Sequence, residues 1–326
     1  MDSSKQPQVL ITGAAGFIGG ALSRYAIEAG YRVIGVDDFN RREEQQAWKS
    51  IPFQECVDRE AFLDSPDRWL SDVKAIFHLG ARTDTFCLDE AVLKHLNLDY
   101  SKKIFHAAAH HKIPFIYASS AAVYGAGEHG YQDGSQSLMQ LRPLNPYGQS
   151  KLDFDCWAME QAEQPKTWFG YRFFNVYGFG EHHKSRMASV VWHGYHQIKE
   201  TGKMNLFRSY KTDYLDGEQR RDFISVNDVI RVLWYSFQQP FASGIYNLGT
   251  GTARSFLDLS QGLFSALGLV PKIEFIDMPE GLRDRYQYHT QADMKRFFHS
   301  SKYPFAFQSL EDGIATYVEQ LQKSAD

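Results

Sequence analysis

Tyr147 and Lys151 stand at positions i and i+4, and Ser119-Ser120 close an apolar run upstream of them. On a helix such a pair lies on one face. A free tyrosine titrates near pH ~10, too high to exchange protons readily at neutral pH. An ammonium held beside it favours the phenolate and draws that pKa toward the working range. A serine hydroxyl nearby can bond to an oxygen being oxidised or reduced. These types make a set for moving a proton while a hydride moves elsewhere. The spacing alone is also that of an ordinary exposed helix pair, so the surrounding elements decide its meaning.

Val9-Leu10-Ile11 is a short apolar β run leading into Gly13-Ala14-Ala15-Gly16-Phe17-Ile18-Gly19, and a helical pattern follows to Ala29, closed by Gly30. Glycines are needed where backbone turns tightly against a pyrophosphate, whose charge then rests at a helix N-terminus. The next strand, Tyr31 to Val36, ends in Asp37-Asp38, where an acid meets the adenosine ribose hydroxyls. Ala75-Ile76-Phe77-His78-Leu79 reads as a buried strand ending at Gly80-Ala81, with a long helix around residues 90–110 behind it. Pro114 to Ser119 reads as another strand, and the helix bearing Tyr147 and Lys151 follows. Strands alternating with helices predict an α/β fold, a Rossmann-type doubly wound parallel sheet with helices on both faces. Ligands of such sheets bind beyond the carboxyl ends of the strands. Gly13, Asp37, Gly80 and Ser120 all fall there, so the signals converge on one dinucleotide crevice.

A chain of 326 residues can hold one large α/β domain, or a domain plus a smaller lobe. Its 43% hydrophobic and 15% aromatic content is that of a packed protein rather than a disordered one. A net charge of −4 supplies no basic field for nucleic acid. No signal-like start and no long uncharged apolar stretch appear, so a cytoplasmic protein without membrane partners is expected. Cys56, Cys87 and Cys156 are scattered and lack metal-ligand spacing; they read as reduced thiols, and no metal is expected. The expected boundaries are 1–174 with 222–248 for the NAD(P)-binding domain, and 175–221 with 249–326 for an α/β substrate-binding lobe. Val226-Asn227-Asp228-Val229 should begin a helix capped by Asn227 or Asp228.

These features resemble the extended short-chain dehydrogenase/reductase family. The resemblance runs over nearly the whole chain: the glycine turn, Leu79-Gly80-Ala81, Ser119-Ser120-Ala121-Ala122-Val123-Tyr124-Gly125, Tyr147 with Lys151, Arg172 to Gly178, and Arg221-Asp222-Phe223-Ile224. Members mostly remodel nucleotide-activated sugars through a keto intermediate. The resemblance sets the reactive serine at Ser120. It implies cofactor contacts from Gly13, Gly16, Phe17, Ile18, Gly19, Asp37, Asp38, Leu79, Gly80, Ala81, Asn97, Lys151 and Val176. The family's 4,6-dehydratases carry an acid pair just before Val-Tyr-Gly; here those positions are Ala121 and Ala122, which do no acid–base work. An epimerase or a reductase remains.

The second half narrows the resemblance. Glu181-His182-His183-Lys184-Ser185-Arg186-Met187-Ala188-Ser189, Leu206-Phe207-Arg208-Ser209 and Arg285-Tyr286-Gln287-Tyr288 look like the ADP-L-glycero-D-manno-heptose 6-epimerase branch of that family. That branch inverts C6 by two hydride transfers, which require a proton acceptor and donor in two orientations. The resemblance assigns these roles to Tyr147 and Lys184, with Lys151 as tuner and nicotinamide-ribose contact and Ser120 as hydrogen-bond partner. It implies an ADP-heptose substrate held by Ser120, Asn175, Arg186, His193, Phe207, Arg208, Ser209, Arg221 and Tyr286. Arginines hold a diphosphate by two-pronged, charge-assisted bonds, and Arg221 is the first candidate. Lys184 has a plainer reading as a partner of a diphosphate oxygen. Asp37 favours NAD, because a carboxylate accepts from a free 2′-hydroxyl and repels a 2′-phosphate. The branch keeps that acid yet uses NADP, with Arg41 and Arg42 in the right loop to neutralise the phosphate. NADP with NAD tolerated is therefore expected, as is a homo-oligomer, pentamers being known among relatives. Residues 210–219 are longer than in the shortest members, which suits a lid or a subunit contact.

Overall fold

The computed structural model describes residues 6–41, 48–283 and 286–324. Its strands, in chain order, are β1 (Gln8–Thr12), β2 (Arg32–Asp37), β3 (Glu55–Asp58), β4 (Val73–His78), β5 (Phe115–Ser120), β6 (Trp168–Phe173), β7 (Asn175–Tyr177), β8 (Met204–Phe207), β9 (Arg220–Ser225), β10 (Gly244–Leu248), β11 (Ala253–Ser255) and β12 (Ile273–Ile276). Seven of them form a parallel sheet in the order β10-β6-β5-β4-β1-β2-β3. Residues on the inner strands are buried on both faces, which is why Val9-Leu10-Ile11 and Ala75-Ile76-Phe77 read as unbroken apolar runs.

The chain passes from β1 outward to β2 on one side and later to β4 on the other, so strand order reverses between β1 and β4. The turns following these strands therefore face each other. Gly13 lies in the left-handed region (φ +69°), and a Cβ there would stand 2.7 Å from the Gly80 nitrogen. Only glycine fits that approach. A Cβ at Gly19 would meet the Gly13 carbonyl at 2.0 Å, which fixes the helix Phe17–Glu28 hard against its own entry turn.

A second group of elements lies beyond the sheet. β7, β9 and β11 form a three-stranded sheet, and β8 pairs with β12. Their apolar residues, including Tyr177, Val191, Tyr195, Phe223, Leu259 and Ile314, make a separate core. The expected return of 222–248 to the main sheet is met only in part. β10 pairs with β6, whereas β9 continues alongside β7 in the smaller sheet. Ala292, Met294, Phe297 and Tyr303, expected in the lobe, pack into the larger core instead. The helix Val226–Gln238 is capped by Ser225, whose side chain accepts from the Asn227 amide. Asp228 is buried and accepts from the Gln308 amide, so it staples the chain after 300 rather than capping its own helix. Among the described residues no helix is long and apolar enough to cross a membrane.

Candidate active site

A cleft of about 830 Å³ opens at the carboxyl ends of the parallel strands, within the usual range for a ligand site. Gly13, Gly16, Phe17, Ile18 and Gly19 line one wall, Asp37, Asp38 and Arg41 one end, and Leu79, Gly80 and Ala81 the floor after β4. Ser120, Tyr147 and Lys151 line it from the β5 side, and Asn175, Val176, Lys184 and Arg186 from the second half of the chain. Thus residues read from scattered motifs share one space. Arg42 lies outside the described residues.

The helix Pro146–Glu160 begins at Asn145, whose side chain accepts from the Gly148 amide, with proline at its first position. It presents Tyr147 and Lys151 inward, both buried. Burial raises the Tyr147 pKa, and a hydrogen bond with Ser120 opposes that rise. Ser120 also accepts from the Ala122 amide at 3.1 Å, which fixes its side chain. The Lys151 ammonium donates to the Ala118 carbonyl at 2.9 Å, and burial pushes its pKa down to about 8, with Asp155 opposing. Ser120 thus lowers the Tyr147 pKa directly, while the Lys151 ammonium reaches across to β5, where the Ala118 carbonyl accepts from it.

Polar side chains underneath hold these groups. Asp155, wholly buried, accepts from the Tyr117 hydroxyl (2.9 Å), the Ser119 hydroxyl (3.0 Å) and Arg172 Nε (2.9 Å). Arg172 in turn donates to the Tyr124 hydroxyl at 3.0 Å. His78, at the end of β4, is bracketed by Thr12 Oγ1 (2.7 Å) and Ser101 Oγ (2.8 Å), and burial pushes its pKa down to about 3. It is a neutral spacer under the crevice.

Asn97 does not reach the cleft. It lies in the π-helical stretch Lys94–Asp99 and is consumed by the Arg82 backbone, bonding its amide (2.7 Å) and carbonyl (3.1 Å), and by Ser150 (2.9 Å). It braces the β4 turn against the Tyr147 helix, a supporting role that these three bonds define. Asp37 is half-exposed to the cleft; its carboxylate accepts from the Ala15 and Asp38 amides (2.9 and 2.8 Å), while burial raises its pKa. Arg41 and Arg59 both act on it electrostatically. Arg59 follows Asp58, the register partner of Asp37 across β2 and β3, and it lines the cleft. Sequence reasoning missed it, because a cation opening the helix after the neighbouring strand is brought to Asp37 only by strand pairing.

The loop after β7 carries Lys184. The ammonium stands 5.4 Å from the centroid of the Phe17 ring, against the glycine turn, and burial lowers its pKa while Glu181 raises it. Arg186 is exposed and donates to Asp84 (3.1 and 3.3 Å), its guanidinium lying 4.9 Å over the Phe86 ring. Thr85 contacts the Met187 sulfur at 4.0 Å. Arg186 is therefore part of a clasp joining the β4 loop to the β7 loop over the cleft, rather than a side chain free for substrate. Arg82, Thr83, Asp84 and Thr85 line the same opening and were not flagged by motif.

Arg221 lies on β9 in the smaller sheet. It is buried, its Nη1 donates to the Arg220 carbonyl (2.8 Å), and its guanidinium lies 5.0 Å over Tyr286 and 5.7 Å over Phe256. No carboxylate among the described residues pairs with it, and burial lowers its pKa. Phe207 packs edge-on to Tyr286 at 6.3 Å. Other expected substrate contacts are occupied elsewhere. Arg208 is exposed between Asp216 and Asp277, both at 3.5 Å, and Ser209 is bound to Asp216 and Lys211. His193 is exposed, because the helix Val190–Thr201 buries Val191, Gly194, Tyr195 and Ile198 on its opposite face. The 210–219 stretch packs on the lobe: the Tyr210 amide bonds the Tyr288 hydroxyl (2.9 Å), and Arg283 stacks on the Tyr210 ring at 3.9 Å.

Known proteins share this arrangement. A model of the NAD dependent epimerase/dehydratase family matches residues 9–249. An ADP-L-glycero-D-manno-heptose-6-epimerase of Fusobacterium nucleatum is 41% identical over 98% of this chain and 99% of its own. One from Alkalilimnicola ehrlichii is 39% identical over 95% and 96%. Among solved structures, the Helicobacter pylori enzyme of that name superposes with a TM-score of 0.82 at 27% identity, covering 98% of both chains. A Bacillus cereus UDP-glucuronic acid 4-epimerase, solved with UDP-glucuronic acid and NAD, gives 0.76 at 25% identity over 96% and 99%. With a family model spanning most of its length and relatives 39–41% identical across nearly all of it, the chain belongs to the NAD dependent epimerase/dehydratase family.

Proposed function

We propose that this protein interconverts ADP-D-glycero-β-D-manno-heptose and ADP-L-glycero-β-D-manno-heptose by inverting C6 through a 6-keto intermediate. In this reading it is a cytoplasmic homo-oligomer that supplies heptose for the lipopolysaccharide core. The observation carrying it is that Tyr147 and Lys184, two proton-bearing groups from separate elements, open on one dinucleotide-sized cleft. The names and full-length similarity of the relatives supply the substrate. The cleft fits a dinucleotide on its own evidence. The Phe17–Glu28 helix starts at Gly16 with no side-chain cap, leaving its first amides for an anion, and Asp37 stands at the ribose end.

A nicotinamide dinucleotide held by the glycine turn, Asp37 and Lys151 would supply a reversible hydride acceptor, so that C6 would be oxidised and reduced again with no net redox change. Tyr147, eased by Ser120, takes or gives the proton on the C6 oxygen in one orientation, and Lys184 does so in the other. Ser120 holds that oxygen, and Lys151, anchored at the end of β5, orients the nicotinamide ribose. Arg221 is a buried cation between aromatic faces with no carboxylate partner among the described residues, which suits a diphosphate; Tyr286, Phe207 and Asn175 shape the rest of the pocket. NADP is the favoured cofactor, with Arg41 and Arg59 beside Asp37 at the ribose end and NAD tolerated.

Lys184 has a second reading, favoured by its contact with Phe17 at the glycine turn: a phosphate contact for the cofactor. Lys184→Met separates the two. Loss of turnover with cofactor affinity kept supports catalysis, and loss of cofactor affinity with turnover kept supports the phosphate role. For the whole assignment, purified protein is incubated with ADP-D-glycero-β-D-manno-heptose and C6 is followed by NMR, beside UDP-galactose. No inversion of the heptose with cofactor retained refutes it, and turnover of UDP-galactose instead marks a UDP-hexose 4-epimerase.

A further inference from the structure

Glu181 is a wholly buried carboxylate with no arginine or lysine in direct contact among the described residues. Burying a bare charge is costly unless several donors replace water. Glu181 has such donors in one loop and its ends. Oε2 accepts from the Ser189 amide at 2.5 Å, and Oε1 accepts from the Ser189 hydroxyl at 2.7 Å and the Gly178 amide at 3.3 Å. Ser189 is also the cap of the helix Val190–Thr201, accepting from the Trp192 amide at 3.2 Å. Glu181 therefore ties the exit of β7 to the start of that helix and closes residues 178–189 into a ring.

Lys184 rides on this ring. Its amide donates to the Glu181 carbonyl at 2.9 Å, and Ser185 beside it takes a left-handed conformation (φ +49°), rare for a residue with a Cβ. Strain of this kind persists only where surrounding bonds over-determine it. The ring thus holds the Lys184 stem in one direction, toward Phe17 and the cleft.

We propose that Glu181 is a positioning residue for Lys184: it closes the ring that aims the ammonium into the cleft and balances its charge from beneath. The inference rests on Lys184 being a proton carrier in the proposed epimerisation. The neighbouring charges agree with it. Glu181 favours the ammonium against burial, while His183 stands beside Lys184 and is kept neutral, its pKa pushed down to about 4 by burial, His182, Lys184 and Arg41. From the C-terminal helix Leu310–Lys323, the buried Tyr317 phenol faces Glu181, and burial with that neighbouring carboxylate holds its pKa well above the ordinary value. Glu181 is thus the one anion acting on Lys184 among these groups.

The test uses the cofactor-loaded full chain and compares wild type with Glu181→Gln, Ser189→Ala and Lys184→Met. Glu181→Gln should lower kcat at least about tenfold, the scale of a misplaced proton carrier, with KM changed less than about threefold. The alkaline limb of its kcat profile should move down by about one pH unit, because the ammonium loses the charge that favours it. Ser189→Ala keeps the charge and removes one tether, so it should lower kcat without moving the limb. The Lys184 amine is also titrated directly by NMR after reductive ¹³C-methylation, its resonance being the one absent from Lys184→Met. Unchanged kcat in Glu181→Gln, or a lower kcat with neither limb nor amine titration displaced, overturns the inference. Near-normal epimerisation by Lys184→Met overturns the underlying reading instead, and the amine titration still decides what Glu181 does to Lys184.

Discussion

Replacing Lys151 by methionine should abolish turnover and change the pH dependence of stability by a calculable amount. The ammonium is buried and its pKa falls from the ordinary 10.5 to about 8. That fall corresponds to roughly 3 kcal/mol by which the fold disfavours the charged form. Between about pH 8 and 10.5 the unfolded chain holds a proton that the folded chain has released, so this lysine makes wild-type stability rise with pH. Well below pH 8 both states carry the charge and the whole penalty is felt. Methionine has similar bulk and no charge, so the penalty vanishes at every pH. Against this, the Ala118 carbonyl loses its 2.9 Å donor, which costs about 1–3 kcal/mol independent of pH. The two terms nearly cancel at neutral pH, leaving a net effect within about 2 kcal/mol, but the pH-dependent part survives. From about pH 6.5 to 9.5, wild type should gain about 2 kcal/mol relative to Lys151→Met. Urea unfolding of nucleotide-stripped protein at both pH values measures it, since stripping removes cofactor linkage. A difference between the two proteins that stays constant over that range refutes the reasoning.

Other perturbations test the remaining assignments. Tyr147→Phe should lower kcat by about 10²–10⁴, the usual contribution of a general acid–base group, and leave KM within a few-fold when turnover is measured by NMR. Arg221→Met should raise KM for the ADP-heptose by about 100-fold, since two charge-assisted bonds to a diphosphate are lost, while thermal unfolding temperature holds or rises because a buried cation whose charged form burial disfavours is removed. Arg186→Ala and Asp84→Asn should each release bound cofactor a few-fold faster in stopped-flow exchange, the modest size expected of an exposed ion pair, and the exchanged pair Asp84→Arg with Arg186→Asp should restore retention.

The parallel sheet and the cofactor wall were legible because their signals are local. Apolar runs, glycine spacing and an acid after β2 each depend on a few adjacent residues, and β1, β2, β4 and β5 appear where those runs stand. Tyr147, Lys151 and Ser120 were legible for the same reason. What escaped depends on contacts far apart in sequence. Asn97 bears the right group for a cofactor contact, but the Arg82 backbone and Ser150 claim it. His193 falls on the outward face because the buried residues of its helix set the phase. Arg186 looked like a substrate arginine until Asp84, from a loop after a different strand, met it. Ser225 took the cap assigned to its neighbours because the strand end, and not residue type alone, decides where helical backbone begins.

β10 forms the outer edge of the parallel sheet, yet it is made from residues that follow most of the smaller sheet in the chain. Its partner β6 reads Trp168-Phe169-Gly170-Tyr171-Arg172-Phe173, every residue buried in the finished fold. On the ribosome, that hydrogen-bonding edge stays uncovered while the next seventy-odd residues are made, a count set by Phe173 and Gly244. An open apolar edge is a template for pairing between chains. The same topology that brings a second-half loop over the crevice therefore imposes a window of aggregation risk during translation. Transcripts truncated between these two strands should yield insoluble product, and those extending past Leu248 should escape that particular hazard.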